Sequence, residues 1–345
     1  MQQRKIRVVQ FGLGAIGVDI ARLLAQQPEI ELVGGIERDE SKIGADLGEI
    51  IQLKQPLGVR VRGDAEAVLH QARPDVVIIA TTSLLHEVFP DIRTAIRARA
   101  HVVSTCEELV YPYADEPEVA GVIDEEARQA GVAVLGIGAN PGFAMDLLPI
   151  FLTGTSSQVR HVEVTRVVDA SARRWTLQHR IGAGIEPSAF RDWARQQRTP
   201  HIGLRQSIHM IAAAIGWHLD HVVEGMEPIV ADHWVRTPYV SVAPGQVAGV
   251  HQWAQGTAER RIVVELDWRT AVGMQETHDA VHIDGIPPID MVIRGGIHGD
   301  LATATLVMRA VPLIMSVRPG LRTVLDLPIL HYHGRPQGPP AHEGA

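Results

Sequence analysis

Two adjacent carboxylates, Glu107 and Glu108, stand in the stretch STCEELVYP, just after a short apolar run and beside the only cysteine, Cys106. A carboxylate at a buried strand end is well placed to move protons. Burial beside apolar groups raises its pKa toward neutrality, where an acid–base catalyst works best. Along a continuing strand the two side chains point to opposite faces, so only one reaches a site. Residue types leave open which one. Cys106 has no adjacent histidine to activate it and reads as a small buried thiol.

A second group suited to chemistry is FGLGAIG, which follows the apolar run IRVVQF and precedes the helical VDIARLLAQQ. Gly12, Gly14 and Gly17 match G-x-G-x-x-G. Gly12 permits the tight turn, Gly14 lets the backbone approach a pyrophosphate, and Gly17 allows close helix packing, with Ala15 and Ile16 at the helix N-terminus facing the phosphates. Glu37 lies 20 residues beyond Gly17, where an acid accepts hydrogen bonds from the adenosine ribose. That carboxylate favours NAD by repelling a 2′-phosphate. Arg38, next to it, would stack on adenine or neutralise the phosphate, so NADP is also admitted, with NAD slightly preferred. Ligands of doubly wound sheets lie beyond the carboxyl ends of the strands. Thr81, Thr82 and Ser83 after the fourth apolar run, and Ser104, Thr105 and Cys106 after the fifth, would leave room there for ribose and nicotinamide.

The elements that must position these groups follow from the pattern. Residues 1–146 alternate β-branched runs such as DVVIIATT and GVAVLGI with helical stretches, which predicts an α/β, doubly wound (Rossmann) parallel sheet. From 147 to 298 the strands lengthen and partly alternate, predicting a second α+β domain on a mostly antiparallel sheet. Leu204, Ile208, Ile211, Ala212, Ile215 and Leu219 recur at helical spacing and give it a covering helix. Residues 299–345 read as a helix over 299–317, bent or interrupted at Pro312, and a loose tail, the segment packing back on the first domain.

The 345 residues carry a formal charge of −8 without acidic or basic blocks. This disfavours nucleic acid and membrane surfaces as partners and points to small molecules. No apolar run approaches bilayer length, one cysteine makes no internal disulfide, and the N-terminus lacks a signal-peptide core, so the expected location is cytoplasmic. The 17 histidines are scattered; His218 with His221 and His331 with His333 lack a third ligand, so no metal is expected.

Together FGLGAIG, STCEELVYP, GANPGFAMD and RRWTLQHRIGAG resemble the 2,4-diaminopentanoate dehydrogenases and native amine dehydrogenases, which are more distantly similar to dihydrodipicolinate reductase. The resemblance implies reversible oxidative deamination of a small amine or diamino acid with NAD or NADP, or reductive amination of a ketone or aldehyde by ammonia. It also implies that Glu108 is the catalytic residue, with Glu107 facing away, and that the protein is a homodimer. The His-His and Lys-x-Asp-Ala-Pro-Ser-Gly signature of dihydrodipicolinate reductases is absent; RVVDASARRW stands in its place.

Amine oxidation needs the neutral amine, which one carboxylate can generate, and the same group can activate water. Phe143, Met145, Trp175, Thr176 and Ile208 are the candidate lining of an apolar pocket, and Asn140 a candidate hydrogen-bonding partner of nicotinamide or substrate. Two alternatives stand beside this reading. One is a dihydrodipicolinate reductase- or homoserine dehydrogenase-like enzyme using Arg173 or Arg174 to hold a substrate carboxylate. The other is a non-catalytic NAD(P) sensor.

Overall fold

The computed structural model describes residues 4–196 and 201–333. The first domain runs β1 (Ile6–Phe11), α1 (Ala15–Ala25), β2 (Ile30–Ile36), α2 (Leu47–Ile50), β3 (Val61–Arg62), α3 (Ala65–Ala72), β4 (Val76–Ile79), α4 (Leu85–Arg97), β5 (His101–Ser104), α5 (Pro117–Ala130) and β6 (Ala133–Gly136). The second contains α6 (Leu147–Thr153), β7 (Gln158–Asp169), α7 (Trp175–Arg180), α8 (Phe190–Gln196), α9 (Leu204–Ile215) and β8 (His221–Val230). It continues through the short β9 (Val235–Arg236) and β10 (Ser241–Val242) to β11 (Val247–Ala258), β12 (Arg261–Ala271), β13 (His278–Ile286) and β14 (Ile289–Arg294). Then α10 (Gly299–Ile314) and β15 (Gly320–Arg322) return to the first sheet.

That sheet is parallel throughout, in the order β15-β6-β5-β4-β1-β2-β3. Its central strands read as unbroken apolar runs because both faces are covered. Val8, Val76 and Ile78 pack with α1 and α10, while Val9, Val77 and Ile79 pack with α3, α4 and α5. Each such fully buried aliphatic side chain contributes about 1.5–3 kcal/mol. The strand order reverses between β1 and β4, so their carboxyl ends open a crevice.

The second sheet, β14-β13-β7-β12-β11-β8, is antiparallel except where β12 pairs in parallel with β7. The two-domain α/β and α+β plan expected from sequence is the one observed. The helix α10 runs on past Pro312 and ends two residues later. The proline- and glycine-rich stretch 334–345 lies outside the described residues. Among those described, no helix is long and apolar enough to cross a membrane.

Candidate active site

Between the domains lies a cleft of about 380 Å³. One wall comes from the first domain: Gly14, Ala15 and Ile16 after β1, Ala80 to Ser83 after β4, and Thr105 and Glu107 after β5. Gly12 has a left-handed φ of +88°, and a Cβ there would lie 2.4 Å from the Ala80 carbonyl oxygen; at Gly17 it would lie 2.0 Å from that of Gly12. The loop therefore closes only around hydrogen side chains. Gly14, by contrast, faces open space, and the N-terminus of α1 carries no side-chain cap. Free amides at a helix start beside an open glycine fit a pyrophosphate. Of the short residues expected at the strand ends, Thr81, Thr82 and Ser83 do line the cleft.

Glu37 ends β2 as anticipated, but its carboxylate is already held by the amides of Leu13 at 2.7 Å, Arg38 at 2.7 Å and Asp39 at 3.2 Å. Burial pushes its pKa up, yet those amides and Lys42 outweigh burial and lower it. It remains an ionised acceptor. Arg38 is paired with Asp91 at 2.7 Å and lies over the Phe11 ring.

The acid pair is placed opposite to expectation. The strand stops at Ser104, whose hydroxyl donates to the Ile79 carbonyl and accepts from the Cys106 amide. A 3-10 turn follows over Glu108–Val110 and packs against Gly136, where a Cβ would lie 2.5 Å from the Leu109 backbone. Strand alternation thus ends before the acids. Glu107 turns into the cleft, with Oε2 buried and without a hydrogen-bond partner. Glu108 instead accepts the Leu85 amide at 2.6 Å, at the start of α4, which has no local side-chain cap. A carboxylate there satisfies an orphan donor and complements the helix dipole. Ser104 and Cys106 are fully buried and do not reach the cleft, and burial pushes the Cys106 thiol up to about 12.

Burial raises the Glu107 pKa to about 7, against the opposing pull of Arg180 and Ser83. Beside it, His201 Nδ1 lies 3.8 Å from Glu107 Oε1, its Nε2 is 2.9 Å from Asn140 Nδ2, and its ring packs at a tilt against Trp268, with centroids 4.8 Å apart. Burial, then the charges of Arg180 and Arg166, push His201 down to about 3. It is neutral at physiological pH. Gln252 clamps the His201 backbone through both N–H and C=O.

The opposite wall belongs to the second domain. The parallel register sets Trp268 beside Arg166 and Thr270 beside Val168, and all four face the cleft. Leu177 and Arg180, three apart on α7, present a second face. The five expected pocket residues are elsewhere. Met145 and Ile208 are fully buried in the second core, and Phe143 packs against the first. Trp175, 52 % exposed, stacks on His179, and exposed Thr176 accepts from Arg174, because the outward face of α7 carries them. Asn140 does line the cleft, after β6 and before a cis peptide bond to Pro141. Arg173 and Arg174 also reach it, but Asp300 lies 2.7 and 3.8 Å from them. Sequence reasoning missed Arg166, Arg180, His201 and Trp268; only the three-residue spacing of Leu177 and Arg180 carried a local signal. Among the described residues no group of three potential metal ligands occurs.

A dinucleotide loop, a crevice at the strand ends and an acid facing a second domain define a nicotinamide-dependent two-domain oxidoreductase. The profile of the dihydrodipicolinate reductase N-terminus matches residues 6–106, and that of the 2,4-diaminopentanoate dehydrogenase C-terminal domain matches residues 143–334. The chain is 35 % identical to the 2,4-diaminopentanoate dehydrogenase of Acetoanaerobium sticklandii over 94 % of each chain. It is 27 % identical to an amine dehydrogenase of Streptomyces virginiae, over 96 % of this chain and 98 % of that one. The solved amine dehydrogenase of Mycobacterium smegmatis superimposes with a TM-score of 0.84 at 27 % identity, covering 95 % of this chain and 97 % of that one. The chain belongs to the 2,4-diaminopentanoate dehydrogenase family.

Proposed function

We propose that this chain is an NAD(P)-dependent amine dehydrogenase, acting on the CH–NH2 group of a small amine or diamino acid, with Glu107 as its acid and base. In reverse it aminates a ketone or aldehyde with ammonia. The observation that carries the assignment is the Glu107 carboxylate, turned into the cleft beyond β5 with one oxygen unpartnered. Family membership and the named activities of the relatives support the reaction class.

When bound, the nicotinamide cofactor supplies the hydride chemistry. The protein supplies the protons and their positions. A substrate amine enters mostly as ammonium and must lose a proton before its lone pair can assist C–H cleavage. Glu107, with a pKa of about 7, is near half ionised at neutral pH and is matched to that transfer. Neutral His201 does not compete for the proton and supports the carboxylate from one side. Once Glu107 has released that proton to solvent through the open cleft, the carboxylate can take a proton from water attacking the imine carbon, and in the reverse direction the protonated acid returns one to the departing water.

The ionised Glu37 beside the glycine loop favours NAD, and exposed Arg38 leaves NADP admissible. A cytoplasmic homodimer joined through the second sheet completes the reading; sedimentation equilibrium tests the assembly. For the activity, a panel of ketones and aldehydes is assayed with ammonia against NADH and NADPH. Ammonia-dependent cofactor oxidation is expected. Cofactor binding without turnover of any member would refute the reading in favour of a sensor.

A further inference from the structure

Asn140 is the only asparagine in the 345 residues, and it stands in the turn GANPGFAMD against the ring of His201. A turn before proline starts as readily with aspartate, so the turn alone does not call for an amide. The contacts of the side chain do. Asn140 Nδ2 lies 3.3 Å from the Met145 sulfur and 2.9 Å from His201 Nε2, while Oδ1 is buried without a partner. A thioether accepts a hydrogen bond and cannot donate one, so it fixes the amide with its NH2 group toward sulfur and ring. His201 Nε2 is then the bare, accepting nitrogen, and the single proton of the neutral ring sits on Nδ1. Nδ1 is the nitrogen that faces Glu107 Oε1, 3.8 Å away.

Three ties keep these groups in register. Buried Asp146 accepts from the Gly142 amide at 2.7 Å and from the Ser207 hydroxyl at 2.8 Å, joining the turn that carries Asn140 to α9. Gly203 lies so close to that turn that a Cβ there would meet Pro141 Cδ at 2.4 Å. Gln252 holds both backbone groups of His201. We propose that Asn140, oriented by Met145, locks His201 in the Nδ1–H tautomer, so that the ring is a fixed neutral donor that holds the ionised Glu107 carboxylate. Asn140 and His201 are thus positioning residues that act on the substrate through Glu107. The opposite tautomer would set a lone pair against the carboxylate and favour its protonated form. Contacts of this kind are often long in a free enzyme and tighten in the complex. The lock also closes one proton route: with Nδ1 already protonated, His201 cannot take the proton from Glu107, which discharges through the cleft instead. The inference rests on the reading of Glu107 as acid and base, and adds the device that sets its proton affinity.

The test reads the tautomer directly by ¹⁵N-histidine NMR, with the His201 signals identified among the 17 histidines by their absence in H201Q. Wild type is expected to show a protonated Nδ1 and a bare Nε2 from about pH 6 to 8, and N140A to show a protonated Nε2. M145L, which removes the sulfur and leaves the cleft lining alone, should give a mixture of the two. In amine oxidation the acid limb of kcat/KM should move in N140A from about 7 to about 8, roughly the one pH unit that losing a hydrogen bond to a carboxylate produces, and in M145L by less. That limb reports the free enzyme, so a lost contact with cofactor or substrate would lower the whole profile without moving it. Thermal unfolding checks that both variants are folded. A protonated Nε2 in wild type overturns the proposal, as does an unchanged tautomer or an unmoved limb in N140A. If wild type oxidises no amine with either cofactor, the amine dehydrogenase reading fails, and the NMR signals still decide the tautomer lock, since they need no turnover.

Discussion

The two walls of the cleft are built on different principles. The first-domain wall is backbone and short side chains: an uncapped helix start, an open glycine, three small residues after β4. The second-domain wall is charged and aromatic, gathering Arg166 from β7, Arg180 from α7, His201 from the loop before α9, and Trp268 from β12. The first wall suits a ligand that never changes, the second one that varies within a family. Glu107 sits where they meet.

This contrast can be sharpened, starting from the largest expected effect. If Glu107 must be ionised to accept the ammonium proton, kcat/KM for amine oxidation should fall about tenfold per pH unit below 7, or roughly 100-fold by pH 5. A profile flat through that window would separate Glu107 from the chemistry. On the first wall, Gly12→Ala forces a left-handed alanine against the Ala80 carbonyl and should weaken cofactor binding by about tenfold or more, read by fluorescence titration. Unchanged affinity would mean that the loop is not the phosphate site.

Glu108→Ala should cost about 1 kcal/mol by uncapping α4, seen as a lower Tm with most of the activity retained. The smallest effect is a gain. The folded-state pKa of Glu107, about 7, lies above its ordinary value of 4.5 because burial disfavours the charged form. Its contribution to stability is therefore full below about pH 4.5 and lost as pH rises through 7. Glu107→Gln should then raise Tm at pH 8 by roughly 2–4 °C, the shift that about 1 kcal/mol produces in a domain of this size, and leave it unchanged at pH 4. A drop at pH 8 would contradict the buried, cleft-facing placement.

Legibility in the sequence follows the same division. FGLGAIG and the small residues after β4 could be read because their roles are local: a turn that excludes Cβ and a strand end that must leave room. The fold class was legible for a similar reason, since unbroken apolar runs and longer alternating strands record which faces are covered. The second wall was not. Trp268 and Arg166 are more than a hundred positions apart and meet only through the β12–β7 register. On α7, Trp175 and Thr176 looked suited to lining an apolar pocket, but the helix turns them outward and brings Leu177 and Arg180 in. The choice between Glu107 and Glu108 depended on two facts outside the motif: the strand ends at Ser104, and α4 needs a remote cap.

The most direct measurement sets Glu107→Gln beside Glu108→Gln in steady-state amination of the best ketone with ammonia and reduced cofactor. A cleft-facing acid–base at Glu107 predicts a loss of about 10²–10⁴-fold in kcat for Glu107→Gln. For Glu108→Gln it predicts activity within about tenfold of wild type, with cofactor affinity intact in both. The reverse ranking, with Glu108→Gln inactive and Glu107→Gln near wild type, would contradict it.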